Sequence, residues 1–524
     1  FVKMTFFALL FVSCVFGLAF VPADGQDYMW DSWLRRTKEG AWSLNFIVSD
    51  QQHVGTWFTS INGAFSFDGV HFADIGPVLF KDPEYTMLGS GSVWPLLANT
   101  VPGSKNSNQE ANQTYVMNWS QDYPCRNRTT MCQSIFFATS VNLQVWTKTF
   151  GREFTYDTAL YDFGRWDTMT VITSQDRHGY YGFWTATPAG KVNGSGFGFS
   201  PDGLGWTCLP SPGPYDTPAE VGGVVTYCGS VYMLYNNGHL YSAPVPQGPF
   251  KPVQDNFELL GIQGSAYFPR IWGEVYTGDP DLILLTHQQH SNTQVYLALI
   301  KRVQQLSDNV VRATWWANND VLRGEPLVLQ PSSSSLSADI SVQKISCRRD
   351  SDRPGCPDLS SGLWVEGTLD LGEQGYSGVW FEVLNSTTGK QAFFRGWGFR
   401  WSSESQVFQI GYCHSPAELE SQTDFEVAFT VDRAWSKLWR PMQQVVPFKV
   451  LVRNVQWNLT ATEVYADDVL ITAAGLGWAH TNWTSLAYVA TGALGTAGGV
   501  TVTGVHHLTL PSTKKPRKQS VPCE

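Results

Sequence analysis

The chain has 524 residues, of which 15% are charged and 14% aromatic, with 48 Gly, 28 Pro and 22 Trp. So low a charge fraction, set against roughly 25% in an average soluble domain, lacks the Lys/Glu/Ala stock of surface helices and excludes a helical bundle, a coiled coil or a disordered chain. The balance of 35 basic and 45 acidic residues, net −10, excludes a phosphate-backbone partner, because nucleic-acid binding runs on clustered Lys and Arg.

The first element in the chain is an apolar run, Phe6 to Val21, preceded by Lys3 and followed by Pro22 and Ala23-Asp24-Gly25. A positive flank, a short apolar stretch and small residues beyond it predict a secretory signal peptide over residues 1–25. The run is short for a membrane anchor, so the expectation is an exported, extracellular protein with no membrane span after cleavage. Two further features agree with export. Seven Asn-x-Ser/Thr sequons occur, at Asn112, Asn118, Asn127, Asn193, Asn385, Asn458 and Asn482. Beyond Cys14 in the leader there are eight cysteines, an even number. Their spacing suggests pairing Cys125 with Cys132, Cys208 with Cys228 and Cys347 with Cys356, which leaves Cys413 and Cys523; eight cysteines nevertheless allow 105 connectivities. No Cys-x-x-Cys or His-x-x-x-His spacing predicts a metal site.

From about Trp30 to Val328 short alternating strands are separated by Gly/Asp/Asn turns. Trp42 to Val48, Thr114 to Trp119, Ser134 to Ser140, Tyr180 to Ala186, Ser230 to Tyr235 and Asp281 to Thr286 are examples. Even spacing without helical periodicity predicts an all-β architecture. The turn Asp68-Gly69-Val70-His71-Phe72 returns as Asp202-Gly203-Leu204-Gly205-Trp206, a recurring hairpin that favours a β-propeller over residues 26–330. The Ser-rich stretch Pro331 to Asp339 reads as a joint. Beyond it, strands such as Gly362 to Leu371, Val407 to Tyr412 and Phe448 to Val452 predict a β-sandwich over 331–510, and Lys514-Lys515-Pro516-Arg517-Lys518 marks a solvated basic tail over 511–524.

Three acids stand out by setting. Asp31 lies between indoles in Trp30-Asp31-Ser32-Trp33; Asp167 follows Arg165-Trp166; Glu220 enters the strand Val221-Gly222-Gly223-Val224. All three sit at strand entrances, and the first strands of successive propeller blades line a central funnel where such residues converge. Glycoside cleavage needs one carboxyl to protonate the leaving oxygen and a second to attack the anomeric carbon or to activate water. Aromatic neighbours offer flat faces to a sugar and desolvate an acid, which raises its pKa. Arg270 and His287 are read first as satisfied structural side chains, and Glu325 as a turn residue. No Gly-x-Ser-x-Gly elbow or Gly-rich phosphate loop is present to support other chemistries.

Several segments together resemble the five-bladed-propeller glycoside hydrolases, namely the invertase/fructanase family 32, its levansucrase relatives of family 68 and, more distantly, family 43. Trp30-Asp31-Ser32-Trp33 is similar to the levansucrase nucleophile motif. Ser66-Phe67-Asp68-Gly69-Val70-His71-Phe72 resembles Ser-x-Asp-Gly-x-His-Trp with Phe72 for Trp. Gly89-Ser90-Gly91-Ser92 is similar to the Ser-Gly-Ser turn that holds sugar, and Gln133 to Trp146 to the blade that follows it. Glu463 to Val469 is similar to a strand of the accessory sandwich. The family's Arg-Asp-Pro is represented by Arg165-Trp166-Asp167-Thr168, with a Trp inserted and no Pro.

The resemblance implies an all-β fold, a five-bladed β-propeller followed by a C-terminal β-sandwich, and a secreted glycosidase with an oligosaccharide or polysaccharide substrate and no cofactor. The expected reaction is retaining cleavage of a furanoside, a β-fructofuranoside in the narrower expectation. Asp31 is then the nucleophile, Glu220 the acid/base and Asp167 the stabiliser of the transition state. Trp30, Trp33, Ser90, Arg165 and Trp166 are the expected substrate-binding residues. The alternatives are an inverting arabinoside or xyloside hydrolase on the same fold and a carbohydrate-binding propeller without turnover.

Overall fold

Alternating apolar runs become strands throughout the computed structural model. It describes Phe20 and residues 28–508 except 38, 50–57, 98–112, 125–130, 217–218, 254–265, 274–282, 292–293, 308–309, 332–339, 347–361, 371–374, 385–390, 403–406, 414–425, 433–444, 456–458, 478–486 and 494–499. The rest of the predicted leader, residues 332–339 of the Ser-rich joint, the basic tail, and the sequons at Asn112, Asn127, Asn385, Asn458 and Asn482 lie outside the described residues. Among the described residues the only helical element is one 3-10 turn, Ala317–Leu322.

Four antiparallel sheets of four strands each follow one another and give the molecule a propeller arrangement. They are β1 (Tyr28–Arg36), β2 (Trp42–Ser49), β3 (Phe58–Ser66) and β4 (Ala73–Phe80); β5 (Leu88–Pro95), β6 (Tyr115–Pro124), β7 (Met131–Ser140) and β8 (Thr147–Lys148); β9 (Asp167–Thr173), β10 (Tyr180–Thr185), β11 (Ser195–Ser200) and β12 (Thr207–Leu209); and β13 (Val221–Tyr227), β14 (Ser230–Tyr235), β15 (Leu240–Ala243) and β16 (Lys251–Pro252). Next come β17 (Ala266–Gly273), β18 (Ile283–Ser291), β19 (Gln294–Leu297), β20 (Lys301–Ser307) and β21 (Val310–Thr314). The order β17-β18-β20-β21 continues, through the single pair Thr314 and Val469, into an eleven-stranded sheet that takes in Val445–Val455, Leu363–Asp370 and Val500–Leu508. A separate seven-stranded sheet joins Val328–Pro331 to strands between Ile340 and Ala493.

The first strands form a ring: β1 touches β5, β5 touches β9, β9 touches β13, β13 touches β17, and β17 returns to β1. Strands enclosed between neighbouring sheets are covered on both faces and read as continuous apolar runs, whereas an outer strand alternates. β2 is buried along its whole length, while β4 alternates between exposed and partly buried residues. The core is accordingly divided among the gaps between sheets. Trp33, Ile61, Met117 and Trp119 fill one gap, Trp94, Phe137, Trp166 and Trp184 the next, and Phe183, Phe197, Val224 and Met233 the next. Phe20, within the predicted leader, bridges Leu297 and packs its ring 5.2 Å from that of Phe46.

The recurring turn has a simple internal logic. Ser66 Oγ accepts the Gly69 N–H at 2.8 Å, Asp68 Oδ1 accepts the Val70 and His71 N–H groups, and Gly69 takes φ +75°, a conformation that favours glycine. Ser200, Asp202 and Gly203 repeat it. A third copy, Ser140-Val141-Asn142-Leu143, uses Asn for Asp and a buried Leu143 at φ 62° for the glycine, a version that the Asp-Gly pattern does not reveal. Two sequence expectations are corrected. Cys208 is a free thiol, so it is not the partner of Cys228. Asn118 is fully buried in β6 and donates to Ser92 Oγ and the Met169 carbonyl, so this sequon serves the sheet and has no surface for a glycan.

Candidate active site

Each strand of the inner ring carries one extra residue near the same end of the ring. The pairing of β1 with β2 slips between Trp30 and Ser32, that of β5 with β6 between Leu88 and Gly91, and that of β10 with β9 between Phe183 and Thr185. β13 slips between Val221 and Gly223, and β17 between Tyr267 and Arg270. A bulge re-aims side chains that regular alternation would send to the sheet faces. Asp31 is the extra residue of β1 and holds φ 30°, a backbone conformation costing on the order of 1–3 kcal/mol in a non-glycine residue.

The bulges surround a cavity of about 430 Å³ lined by Trp30, Asp31, Ser90, Arg165, Asp167 and Glu220, together with Asp122, Gln133 and Phe268. Asp31 is 4% exposed; its Oδ2 lies 3.5 Å from Arg270 Nη2, and its Oδ1 has no hydrogen-bond partner among the described residues. Burial pushes the Asp31 carboxyl up to about 7; the Arg270 guanidinium pulls it down, the Glu220 and Asp167 carboxylates push it up, and the Ser90 hydroxyl lowers it. Arg270, read from sequence as structural, instead stands beside the proposed nucleophile, 1% exposed, and donates to Ser90 Oγ at 2.7 Å. Its neighbour Phe268 meets the Trp30 ring edge to face at 5.0 Å.

Asp167 is held on both oxygens. Oδ1 accepts from Ser120 Oγ at 2.6 Å and from the Thr168 N–H at 2.7 Å, and Oδ2 accepts from Arg165 Nη2 at 3.0 Å. The same Nη2 reaches Glu220 Oε1 at 2.5 Å, so Arg165 links two carboxylates. The inserted Trp explains the geometry. Residues two apart in an extended chain share a side, so Arg165 and Asp167 face the cavity together while Trp166 points away. Trp166 is fully buried, donates its indole N–H to the Phe154 carbonyl at 3.0 Å and packs against Tyr156 and Trp184. Trp33 is likewise fully buried, in the gap between the first two sheets. Neither indole lines the cavity, which corrects their assignment to substrate binding: Trp33 lies three residues further along β1 than Trp30, inside the packed gap that Trp30 only edges.

Close backbone approach is also part of the site. A Cβ on Gly89 would stand 2.1 Å from Ser120 Oγ and 2.6 Å from Asp167 Oδ1, so only glycine lets β5 pass the Asp167 carboxylate. Glu220 is set by its backbone: its N–H donates to Asn236 Oδ1 at 3.2 Å, and its carbonyl accepts the Asn236 N–H at 2.8 Å. Sequence reading missed Asp122 and Gln133. Nothing local sets them apart from the other polar residues of β6 and β7, such as Asn118, Gln121 and Ser134. Among the described residues no group of three or more His, Cys, Asp and Glu has the arrangement of a metal site.

No family model matches the sequence, and no curated protein matches it closely enough to be counted a relative. Solved structures do match the fold. The β-fructofuranosidase of Bombyx mori, of glycoside hydrolase family 32, aligns with a TM-score of 0.61 at 11% identity, over 92% of this chain and 93% of that one. The fructofuranosidase of Schwanniomyces occidentalis, solved with fructose, aligns with 0.62 at 12% identity over 94% and 98%. Fructan 1-exohydrolase IIa of Cichorium intybus aligns with 0.59 at 11% identity over 94% and 97%. The chain therefore shares the fold of these structures over nearly its whole length.

Proposed function

We propose that this protein is a secreted retaining glycosidase that cleaves a furanoside, most specifically a β-fructofuranoside. The carrying observation is the convergence of Asp31, Asp167 and Glu220, from three different sheets, on one cavity, with Arg165 between the last two. The structural neighbours named for fructofuranosides and fructans support the substrate class. In this reading β17, β18, β20 and β21 serve as a fifth blade, and the eleven- and seven-stranded sheets supply an accessory sandwich. Residues 1–25 are a cleaved leader, and glycans and disulfides belong to the exported form.

The ionised Asp31 carboxylate attacks the anomeric carbon while Glu220 gives its proton to the leaving oxygen; Glu220 then takes a proton from the water that releases the sugar. Arg270 supports the charge on Asp31, and Asp167 accepts hydrogen bonds from sugar hydroxyls as positive charge develops on the ring. Glu220 must surrender its contact with Arg165 to reach the leaving oxygen. Substrate hydroxyls drawing Arg165 toward Asp167 provide for that.

The test is hydrolysis of sucrose, inulin, levan and nitrophenyl furanosides by the purified protein, with the anomer first released followed by NMR. Retention is expected, with a loss of about 10²- to 10⁴-fold in kcat for Glu220→Gln on substrates whose leaving group needs protonation. An inverted first product would assign the chemistry to the inverting class. Sugar binding without turnover would make the propeller a binding module.

A further inference from the structure

Asp122 closes β6, opposite Gln133 in β7, and the two are direct partners across the strands. Every fixed group around this pair is accounted for except one oxygen. Gln133 Oε1 accepts the Trp166 N–H at 2.9 Å, which turns its amide nitrogen toward Asp122, and Nε2 donates to Asp122 Oδ1 at 2.8 Å. The Asp122 N–H donates to the Met87 carbonyl at 3.0 Å, and its own carbonyl accepts the Thr86 N–H at 2.8 Å. Asp122 Oδ2 has no hydrogen-bond partner among the described residues. The residue is 7% exposed, and what exposure it has faces the cavity.

A carboxylate held by Gln133 on one oxygen and open to the cavity on the other offers an acceptor to a donor that arrives with the ligand. Asp122 senses Asp167 and Arg165, whereas Asp31 senses Asp167, Glu220 and Arg270. Asp122 lines the same cavity as Asp31, Asp167 and Glu220, beside the Gln133 that holds it. The charged donor of the cavity, Arg165, is already taken by Asp167 and Glu220, so the fitting donor for Asp122 is a neutral hydroxyl.

We propose that Asp122 is a specificity-determining residue whose free carboxylate oxygen accepts a hydrogen bond from a non-reacting hydroxyl of the bound sugar, with Gln133 as the positioning residue that aims it. This rests on the glycosidase reading and narrows it to substrates that present a free hydroxyl at that place on the ring.

The test is a cycle between the parent and Asp122→Ala, measured by calorimetric binding of fructose and of its monodeoxy derivatives, with hydrolysis of nitrophenyl β-fructofuranoside recorded separately. The parent is expected to bind one derivative about 10- to 100-fold more weakly than fructose. Asp122→Ala is expected to bind fructose as weakly as the parent binds that derivative, and to show no further loss on it. Equal losses by the variant on every derivative, no discrimination by the parent, or no binding of fructose by the parent would each overturn the assignment. Asp122→Asn keeps an acceptor for Gln133, and its binding decides the matter if the Ala variant fails to fold. A parent that binds with this pattern but hydrolyses no furanoside would overturn the glycosidase reading and leave the Asp122 assignment standing.

Discussion

The buried Asp31 carboxylate makes stability depend on pH in a direction opposite to that of most acids. Its pKa is raised from 3.8 to about 7 in the folded chain, first by burial and then by Glu220 and Asp167 acting against Arg270. Between about pH 4 and pH 7 the folded protein holds a proton on Asp31 that the unfolded chain has released, so stability falls as pH rises through that window. The gap between 3.8 and about 7, at 1.36 kcal/mol per pH unit, comes to about 4 kcal/mol. Asp31→Asn is neutral throughout and escapes this cost. It also replaces the carboxyl 3.5 Å from Arg270 by an amide, which adds an offset that does not change with pH. The part that changes between acid and neutral pH belongs to the carboxyl. Urea unfolding of parent and variant across about pH 4 to pH 8 should show the variant gaining about 4 kcal/mol relative to the parent as pH rises, with furanoside hydrolysis lost. A difference that does not change with pH, or one that moves toward the parent on the alkaline side, would refute the reasoning. The expected gain is also the signature of a residue kept for chemistry at the expense of stability.

Three further outcomes follow from the geometry. Gly89→Ala puts a methyl 2.1 Å from Ser120 Oγ and should cost about 1–3 kcal/mol in urea unfolding while displacing Asp167 and lowering kcat/KM; a variant equal to the parent in both would contradict the close approach. Lys301 and Glu463 form a fully buried ion pair at 2.8 Å between β20 and the strand Leu459–Ala466, with Tyr465 donating to the other Glu463 oxygen. Lys301→Met should destabilise by about 3–5 kcal/mol, with much of that regained in Lys301→Met/Glu463→Gln; equal destabilisation of the single and double variants would place the cost in packing and not in the unpaired charge. Glycopeptide mass spectrometry of protein expressed in eukaryotic cells should find Asn118 unmodified, and occupancy there would be incompatible with its buried hydrogen bonds to Ser92 and Met169.

Much of the molecule could be read before folding was considered. Strand patterns and the Ser-x-Asp-Gly turns depend on interactions within a few residues, so Trp42–Ser49 and Ser230–Tyr235 are strands as expected, and the turns at Ser66 and Ser200 form as their spacing implies. The positions of Asp167 and Glu220 at strand entrances were equally legible, because a turn-to-strand transition has a local signature, whereas Asp31, expected at an entrance, lies inside β1 at its bulge. What only the tertiary structure decided is which residues become neighbours once the inner strands close into a ring. That closure brings Arg270 from β17 to Asp31 and Ser90, and sets Asp122 and Gln133 beside Asp167. The bulges then decide which side chains turn inward, since one extra residue reverses the facing of all that follow. Composition marked Trp33 and Trp166 as aromatic neighbours of acids, but packing in the gaps between sheets takes both indoles into the core and leaves Trp30 in the cavity.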